Sequence, residues 1–368
     1  MKSLIIIIFI LTANFATAQN THVLFGERTL TPSGNISICF DKEGSIYPDY
    51  YISNASLEKS NNSLKEYYLK NQSEFIKIGK KYNCIFKEYN EANNNILNDS
   101  IAVNFTKKIN FEVISGTSVT FLIHGFRKAF IVGTRDIPSP IDFQTMKQAL
   151  TDNSLSNTLF VEIYWDALYG CCFSKDTKQN EILFKLFEEA QVNAEQVGKG
   201  FKTILSSINC DTINIITHSL GAKVAAYAVL DIYKDLKPTP SCKRLNICLV
   251  APAISAQLIS DNYYKRNSKS DFNNQDNYNL IIIYNEDDFV LKKKDNVMGL
   301  FGPGPYKYGN TTLGCNYHNT AVNLKKKFKS DFAKSTINLI DLSSVGKCHH
   351  VRCYFYGENI KSALKLFH

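Results

Sequence analysis

From about residue 111 onward, short β-branched apolar segments alternate with longer segments whose apolar residues recur at helical spacing. This alternation predicts strands at 118–123, 158–165, 212–216, 245–251, 280–284 and 337–342. It predicts helices at 143–150, 181–206, 220–235 and 359–367. Such a pattern favours the α/β fold class, in which helices flank a mostly parallel central sheet.

Residues 19–110 carry a different pattern, rich in Asn, Ser and Tyr. An amphipathic helix is predicted near 64–78, and short alternating apolar segments lie near 36–40 and 101–105. We interpret this part as an N-terminal extension packed on a core domain of residues 111–368, to which it can add edge strands. An autonomous second domain is the less favoured interpretation.

The first 18 residues match a secretory signal peptide. Lys2 supplies a positive charge, residues 4–11 form an unbroken apolar core, and Ala16-Thr17-Ala18 offers small residues for cleavage. The apolar core is too short for a membrane span. We therefore expect residues 1–18 to be removed and the mature chain to be exported, to the periplasm or outside the cell.

Charge argues against a nucleic-acid partner. The 42 Lys and Arg residues exceed the 34 Asp and Glu residues, which gives a formal net charge of +8. Apart from short runs at 292–294 and 325–329, the basic residues are scattered, as is typical of a solvated surface. No later segment predicts a transmembrane helix, and the oligomeric state stays open.

Ten cysteines, in a chain expected to be exported, favour disulfides over metal ligands. The sequence lacks the two Cys-X-X-Cys elements of a structural zinc site, so no metal is predicted. Cys39 and Cys84 are the only cysteines before residue 170, which makes them a natural pair.

The segment 212–230 carries the clearest chemical signal. A β-branched strand ends at Thr217, the turn Thr-His-Ser-Leu-Gly follows, and an Ala-rich helical stretch comes next. Ser219 is thus predicted at the N-terminus of a helix, where free amides and the helix dipole favour a developing negative charge. The alternative is a turn of small residues without chemistry, but the strand–turn–helix context favours a nucleophile.

The run Thr217-His218-Ser219-Leu220-Gly221 resembles the Gly-X-Ser-X-Gly motif of the α/β-hydrolase superfamily, with Thr217 replacing the first glycine. Over about residues 111–368 the chain looks like a lipase/esterase-like secreted bacterial serine hydrolase. The resemblance implies an α/β-hydrolase fold and a catalytic triad in the chain order serine, acid, histidine. It implies no metal and no organic cofactor.

By this resemblance, the acid should follow the strand at 280–284, where Glu286, Asp287 and Asp288 stand in a row. Asp288 is the preferred acid, because the apolar run after it is similar to that of the family. Asp287 is the second choice and Glu286 the third. The alternative is that this acidic cluster caps the strand or binds a cation such as calcium.

The base is expected after the last strand, where His349 and His350 stand together. The run His-X-Val-X-X-Tyr-Phe at 349–355 resembles the ending of a group of bacterial secreted α/β-hydrolases, and on that alignment His349 is the base and His350 the second choice. A disulfide between Cys348 and Cys353 would hold the loop and the imidazole, which is a hypothesis.

The strand at 118–123 runs into His124-Gly125-Phe126, which resembles the oxyanion loop of the family. The resemblance implies that the backbone amides of Phe126 and Leu220 bind the oxyanion. His124 is expected to be a structural loop residue, because it precedes the serine in the chain.

Together these features imply a serine hydrolase that cleaves a small-molecule or lipid ester through an acyl-enzyme. One alternative is an acyltransferase or amidase with the same triad. Another is an inactive, hydrolase-like binding module, since a fold does not fix a function. Segments 127–140 and 298–308 are candidate lids over the pocket, and the acyl-chain preference is not readable from the sequence.

Overall fold

The computed structural model describes most of the chain beyond the predicted leader. The signal-peptide prediction for 1–18 and nearly all of the two candidate lids lie outside the described residues. The described ranges, besides a few isolated residues, are 36–48, 63–113, 117–126, 139–153, 157–165, 177–230, 241–265, 278–294, 312–331 and 336–367.

Seven strands form the central sheet, in the order β1-β3-β2-β4-β5-β6-β9, and every neighbouring pair is parallel. A short antiparallel pair, β7 and β8, lies outside it. The strands are β1 (Ile36–Phe40), β2 (Ser118–Ile123), β3 (Thr158–Trp165), β4 (Thr212–His218), β5 (Arg244–Val250), β6 (Tyr278–Tyr284), β7 (Lys293–Lys294), β8 (Val297–Met298) and β9 (Thr336–Asp341).

Helices flank this sheet, and the longest crosses the helix that follows β4. They are α1 (Leu64–Lys70), α2 (Gln72–Lys81), α3 (Glu91–Glu112), α4 (Ser139–Asp152), α5 (Thr177–Leu205), α6 (Gly221–Ala225), α7 (Ala256–Lys265), α8 (Thr320–Asp331), α9 (Val351–Phe355) and α10 (Lys361–Leu364). The α/β fold class predicted from the sequence, in which helices flank a mostly parallel sheet, is confirmed.

The predicted N-terminal extension supplies β1, which pairs with β3 at one edge of the sheet, from Ile36 beside Val161 to Phe40 beside Trp165. The strand is buried along its whole length. Helix α3 of the extension also packs against α5. Apolar residues of the extension therefore belong to the same buried core as the sheet.

In the extension, one prediction holds in part and another is wrong. The helix expected over 64–78 is broken at Asn71, whose side chain donates to the Tyr67 carbonyl and whose backbone leaves the helical conformation. The segment 101–105 is not a strand but part of α3. Buried residues of α3 recur three to four positions apart, as in Leu97, Ile101 and Phe105, and that period belongs to a helix.

Other differences concern helix boundaries and one disulfide. The helix predicted over 220–235 is α-helical only to Ala225 and continues as a π-helical turn over Ala226–Leu230. The helix predicted over 359–367 is shorter than expected and consists of α10. Helices α7 and α8 were not predicted. Cys39 and Cys84 do not form a disulfide, and the Cys84 sulfur lies 3.2 Å from Ser100 Oγ instead.

A row of polar side chains, half-buried at its two ends and buried between them, crosses six strands of the sheet. Each member hydrogen-bonds to the next at 2.7–3.3 Å. Because side chains alternate between the two faces of a sheet, a one-residue slip of any strand would break this row. The members, in spatial order, are Thr158, Thr120, Asn214, Asn246, Asn279 and Asn338.

We expect Asn246→Leu to lower the free energy of unfolding by about 2 kcal/mol or more, because it leaves two buried amides without their partner. Asn338→Leu is the matched control, since Asn338 is half-buried and ends the row. Urea unfolding of both variants gives the comparison. Equal losses would show that the row does not stabilise the register from its centre.

Candidate active site

Ser219 occupies the sharp turn between β4 and α6. Its φ of +53° lies in the left-handed region, which is costly for a residue with a side chain and is typical of a nucleophile elbow. The turn is held by the Ser219 amide, which donates to the Val250 carbonyl at 2.9 Å. The side chain is only 6% exposed.

The elbow needs Gly221, because a Cβ there would lie 2.6 Å from the His124 carbonyl oxygen. Thr217, which departs from the superfamily motif, is fully buried within β4 between β2 and β5. The first motif position thus accommodates a β-branched side chain here, whereas the second requires glycine.

His349 reaches Ser219 from the loop after β9. Its Nε2 lies 2.9 Å from Ser219 Oγ, and its Nδ1 lies 2.6 Å from Asp288 Oδ2. His350, the second choice for the base, is exposed and caps α9 instead. The structure therefore brings together the three side chains that the sequence predicted as nucleophile, base and acid.

Asp288 is fully buried and has four hydrogen-bond donors. Oδ1 accepts from the amides of Val290 at 2.9 Å and Leu291 at 3.1 Å. Oδ2 accepts from Tyr354 Oη at 2.9 Å and faces His349 Nδ1. Four donors match the four lone-pair directions of a carboxylate, so the hydrogen-bonding capacity of Asp288 is filled.

The other two acidic candidates are engaged elsewhere. Asp287 forms an ion pair with Lys292. Glu286 Oε1 accepts from Asn316 Nδ2 at 2.8 Å. In the described part of the chain, no cluster of three or more His, Cys, Asp or Glu side chains could hold a metal ion, and no described helix is long and apolar enough to cross a membrane.

The backbone of the His349 loop is held from two sides. His218 Nε2 lies 2.8 Å from the His349 carbonyl oxygen and donates to it. Asn285 Nδ2 donates to the carbonyls of Gly346 at 2.8 Å and Cys348 at 3.1 Å. Asn285 and Tyr354 were not predicted as parts of the site. Asn285 directly follows a core strand and Tyr354 lies in the histidine-containing run 349–355, but neither position specifies a contact.

The hypothetical disulfide is present: Cys348 and Cys353 are bonded, with Cα atoms 6.4 Å apart. It joins the residue before His349 to the interior of α9. The loop carrying the imidazole is thereby tied to a helix whose Tyr354 and Phe355 are buried.

The loop His124-Gly125-Phe126 lies against the nucleophile. A Cβ on Gly125 would be 2.8 Å from Ser219 Cβ and 3.0 Å from the His218 carbonyl oxygen. Leu220, whose amide is the other predicted donor, directly precedes α6 and is buried. Both predicted oxyanion amides therefore belong to segments that border Ser219.

His124 does not face the nucleophile. Its Nε2 accepts from the Trp165 amide at 3.2 Å, so Nδ1 carries the proton toward the Gly125 carbonyl at 2.9 Å. The Trp165 indole donates to the His124 carbonyl and stacks on the imidazole. These contacts explain how a buried, neutral histidine shapes the loop.

Comparisons with known proteins give only structural similarities, at low sequence identity. No protein-family model matches the chain, and no curated protein matches it in sequence. Among solved structures, the chain is similar to an inhibited esterase B from Lactobacillus rhamnosis, with 11% identity, 68% of this chain and 74% of that chain covered, and a TM-score of 0.31. It is also similar to a hydrolase from Oleispira antarctica, with 10% identity, 68% and 90% covered, and a TM-score of 0.29. Scores of this size carry no conclusion about activity.

We expect the double variant Cys348→Ser/Cys353→Ser to react more slowly at Ser219, by roughly tenfold, because small misplacements of a base are costly. Timed labelling with a fluorophosphonate measures this rate. Cys84→Ser is the matched control, since that thiol is buried far from the loop in sequence and contacts Ser100. Equal rates in all three proteins would contradict a positioning role for the disulfide.

Gly125→Ala should lower the same rate by about 100-fold, because the added methyl group displaces the loop that offers the Phe126 amide. Gly79→Ala is equally crowded, with its Cβ 2.5 Å from the Phe86 ring, yet lies in α2. We expect the Gly79 variant to lose stability but to keep its reactivity. A Gly125 variant with parental reactivity would rule out the assigned oxyanion loop.

Proposed function

We propose that this protein is a serine hydrolase that cleaves carboxylic esters through an acyl-enzyme. Ser219 is the nucleophile, His349 the general base and acid, and Asp288 the carboxylate that orients the imidazole. The observation that carries the proposal is the continuous hydrogen-bonded chain from Ser219 Oγ through His349 to Asp288 Oδ2, at 2.9 and 2.6 Å.

The geometry supports the first proton transfer. A serine hydroxyl is too weak an acid to ionise at neutral pH, so a base must remove its proton during attack. The carboxylate of Asp288 holds the proton of His349 on Nδ1, which leaves Nε2 free to accept the proton of Ser219. Burial of Asp288 also places its negative charge where it stabilises the imidazolium that forms.

The oxyanion of the tetrahedral intermediate would be bound by the amides of Leu220 and Phe126. Leu220 lies at the start of α6, where the helix dipole adds to the hydrogen bond. The intermediate collapses when His349 Nε2 returns the proton to the leaving alcohol, and Ser219 is then acylated. Water, deprotonated by the same imidazole, releases the acid and restores the serine.

The ester would be a small molecule or a lipid, and the reaction would take place outside the cytoplasm. Export through the predicted signal peptide is supported by the Cys348–Cys353 disulfide, because such bonds persist in oxidising compartments. The length of the acyl chain is not part of the proposal.

Labelling with a fluorophosphonate, followed by peptide mass spectrometry, tests the proposal. We expect one adduct at Ser219, none in Ser219→Ala, and an unchanged adduct in Ser206→Ala, which removes an exposed serine from the end of α5. Asp288→Asn should slow hydrolysis of 4-nitrophenyl esters by about 10,000-fold, since it favours the wrong tautomer of the base.

A folded protein that takes no label at Ser219 would contradict the proposal. Circular dichroism and the thermal midpoint establish that the parent and the variants are folded. Label on Ser219 combined with hydrolysis that survives in Ser219→Ala would also contradict it, because the ester would then be cleaved elsewhere.

A further inference from the structure

Tyr354 is a third side chain on the candidate acid–base pair. Its hydroxyl lies 2.9 Å from Asp288 Oδ2, the same oxygen that faces His349 Nδ1. The tyrosine is fully buried, and it follows Cys353 directly in α9. A buried phenol on this oxygen is not needed to complete a serine–histidine–aspartate arrangement, so its place calls for an explanation.

The phenol has two possible acceptors, Asp288 Oδ2 and, at 3.2 Å, the carbonyl oxygen of Cys348. That carbonyl already accepts a hydrogen bond from Asn285 Nδ2 at 3.1 Å. The carboxylate is nearer and charged, and hydrogen bonds to charged acceptors are the stronger ones. The single phenolic proton is therefore directed to Asp288.

The phenol is protonated throughout the pH range in which an enzyme works. Burial, and then the negative charge of Asp288, raises the pKa of Tyr354 above its ordinary value. A group whose acid dissociation is suppressed in this way can only donate to the carboxylate. Its hydrogen bond thus persists on both sides of neutral pH.

We propose that Tyr354 is a positioning residue that fixes the Asp288 carboxylate and sets the acid limit of the pH range in which His349 is an active base. The inference deepens the proposed hydrolase and rests on it for its consequence in catalysis. Through Tyr354 and Cys353, the same short helix holds both the acid and, by the disulfide, the loop of the base.

The direction in which loss of the phenol shifts the protonation of His349 follows from charge. A donor on Oδ2 withdraws negative charge from the oxygen that stabilises the imidazolium. Without the phenol, Asp288 would attract the imidazolium proton more strongly, and His349 would stay protonated to higher pH. A protonated base cannot accept the serine proton, so the acid side of the activity profile would move to higher pH.

Other titratable groups border this cluster among the described residues, and the charged pair Lys292 and Asp287 beside Asp288 is paired internally. Cys315 is near Asp288, and burial raises the pKa of its thiol to about 12, so it stays neutral. His218 lies beside His349 and Tyr354, with ring centres 5.0 and 6.3 Å away. It is retained in every variant below and is followed as a separate signal.

Nitrogen-15 NMR of the full chain, with its histidines isotopically labelled, tests the inference without a substrate. The protonation midpoint of His349 is measured in Ser219→Ala, alone and combined with Tyr354→Phe, and the signal is assigned by His349→Asn. We expect Tyr354→Phe to raise the midpoint by roughly one pH unit. Replacing Tyr354 with 3-fluorotyrosine, a stronger donor of nearly equal shape, should lower it.

The inference is supported if the protonation midpoint of His349 rises in the order fluorotyrosine, tyrosine, phenylalanine at position 354. Equal midpoints, or a lower midpoint in the phenylalanine variant, overturn it. If phenylalanine prevents folding, the fluorotyrosine protein decides alone. Tyr164→Phe is the matched control, because it removes a phenol from another buried carboxylate, Glu162 at 2.8 Å, and should leave the His349 midpoint unchanged.

The catalytic counterpart is the pH dependence of fluorophosphonate labelling at Ser219 in the parent and in Tyr354→Phe. The acid side of that profile should move upward with the NMR midpoint. A parent protein that takes no label contradicts the proposed hydrolase, whereas the NMR titration still decides the role of Tyr354. The two failures are therefore distinguishable.

Discussion

The buried carboxyl group of Asp288 is the constraint on which the rest of the site depends. A carboxylate removed from water is costly unless donors replace its hydration. The chain supplies four donors, two from its own backbone turn and two from side chains more than 60 residues away. The loop of His349 and helix α9 must therefore come to Asp288, and the C-terminal residues are part of the site for that reason.

A second constraint is steric and acts on the opposite side of Ser219. The left-handed turn at Ser219 pushes its side chain against the loop after β2, where only Gly125 leaves room. Gly221 permits an equally close approach of α6 to the same loop. Hydrogen bonding thus places Asp288 and His349, while close packing at two glycines places Ser219 beside the predicted oxyanion amides.

The sequence predicts the six core strands to within two residues, because buried parallel strands are continuous apolar runs. It also predicts that Ser219, Asp288 and His349 lie together, since each follows such a strand or its loop in the chain order that the resemblance implies. Helix α3 was missed because its apolar residues are spread around its axis. A short segment of it therefore shows the alternation of apolar and polar residues that is typical of a strand. The contacts of Tyr354 and Asn285 depend on residues that are remote in the chain, and no local pattern contains them.

The contacts that hold His349 are unequal. Hydrogen bonds from His218 and Asn285 and the disulfide at Cys348 hold the loop backbone. Ser219 and Asp288 contact the imidazole itself, and the carboxylate of Asp288 determines which nitrogen bears the proton. Loss of one backbone contact leaves the others to limit the displacement, whereas loss of the carboxylate changes the tautomer, for which no other contact compensates. Several contacts hold the backbone of the loop, but one carboxylate fixes the tautomer of the imidazole. Much of the C-terminal structure therefore converges on the side chain of His349.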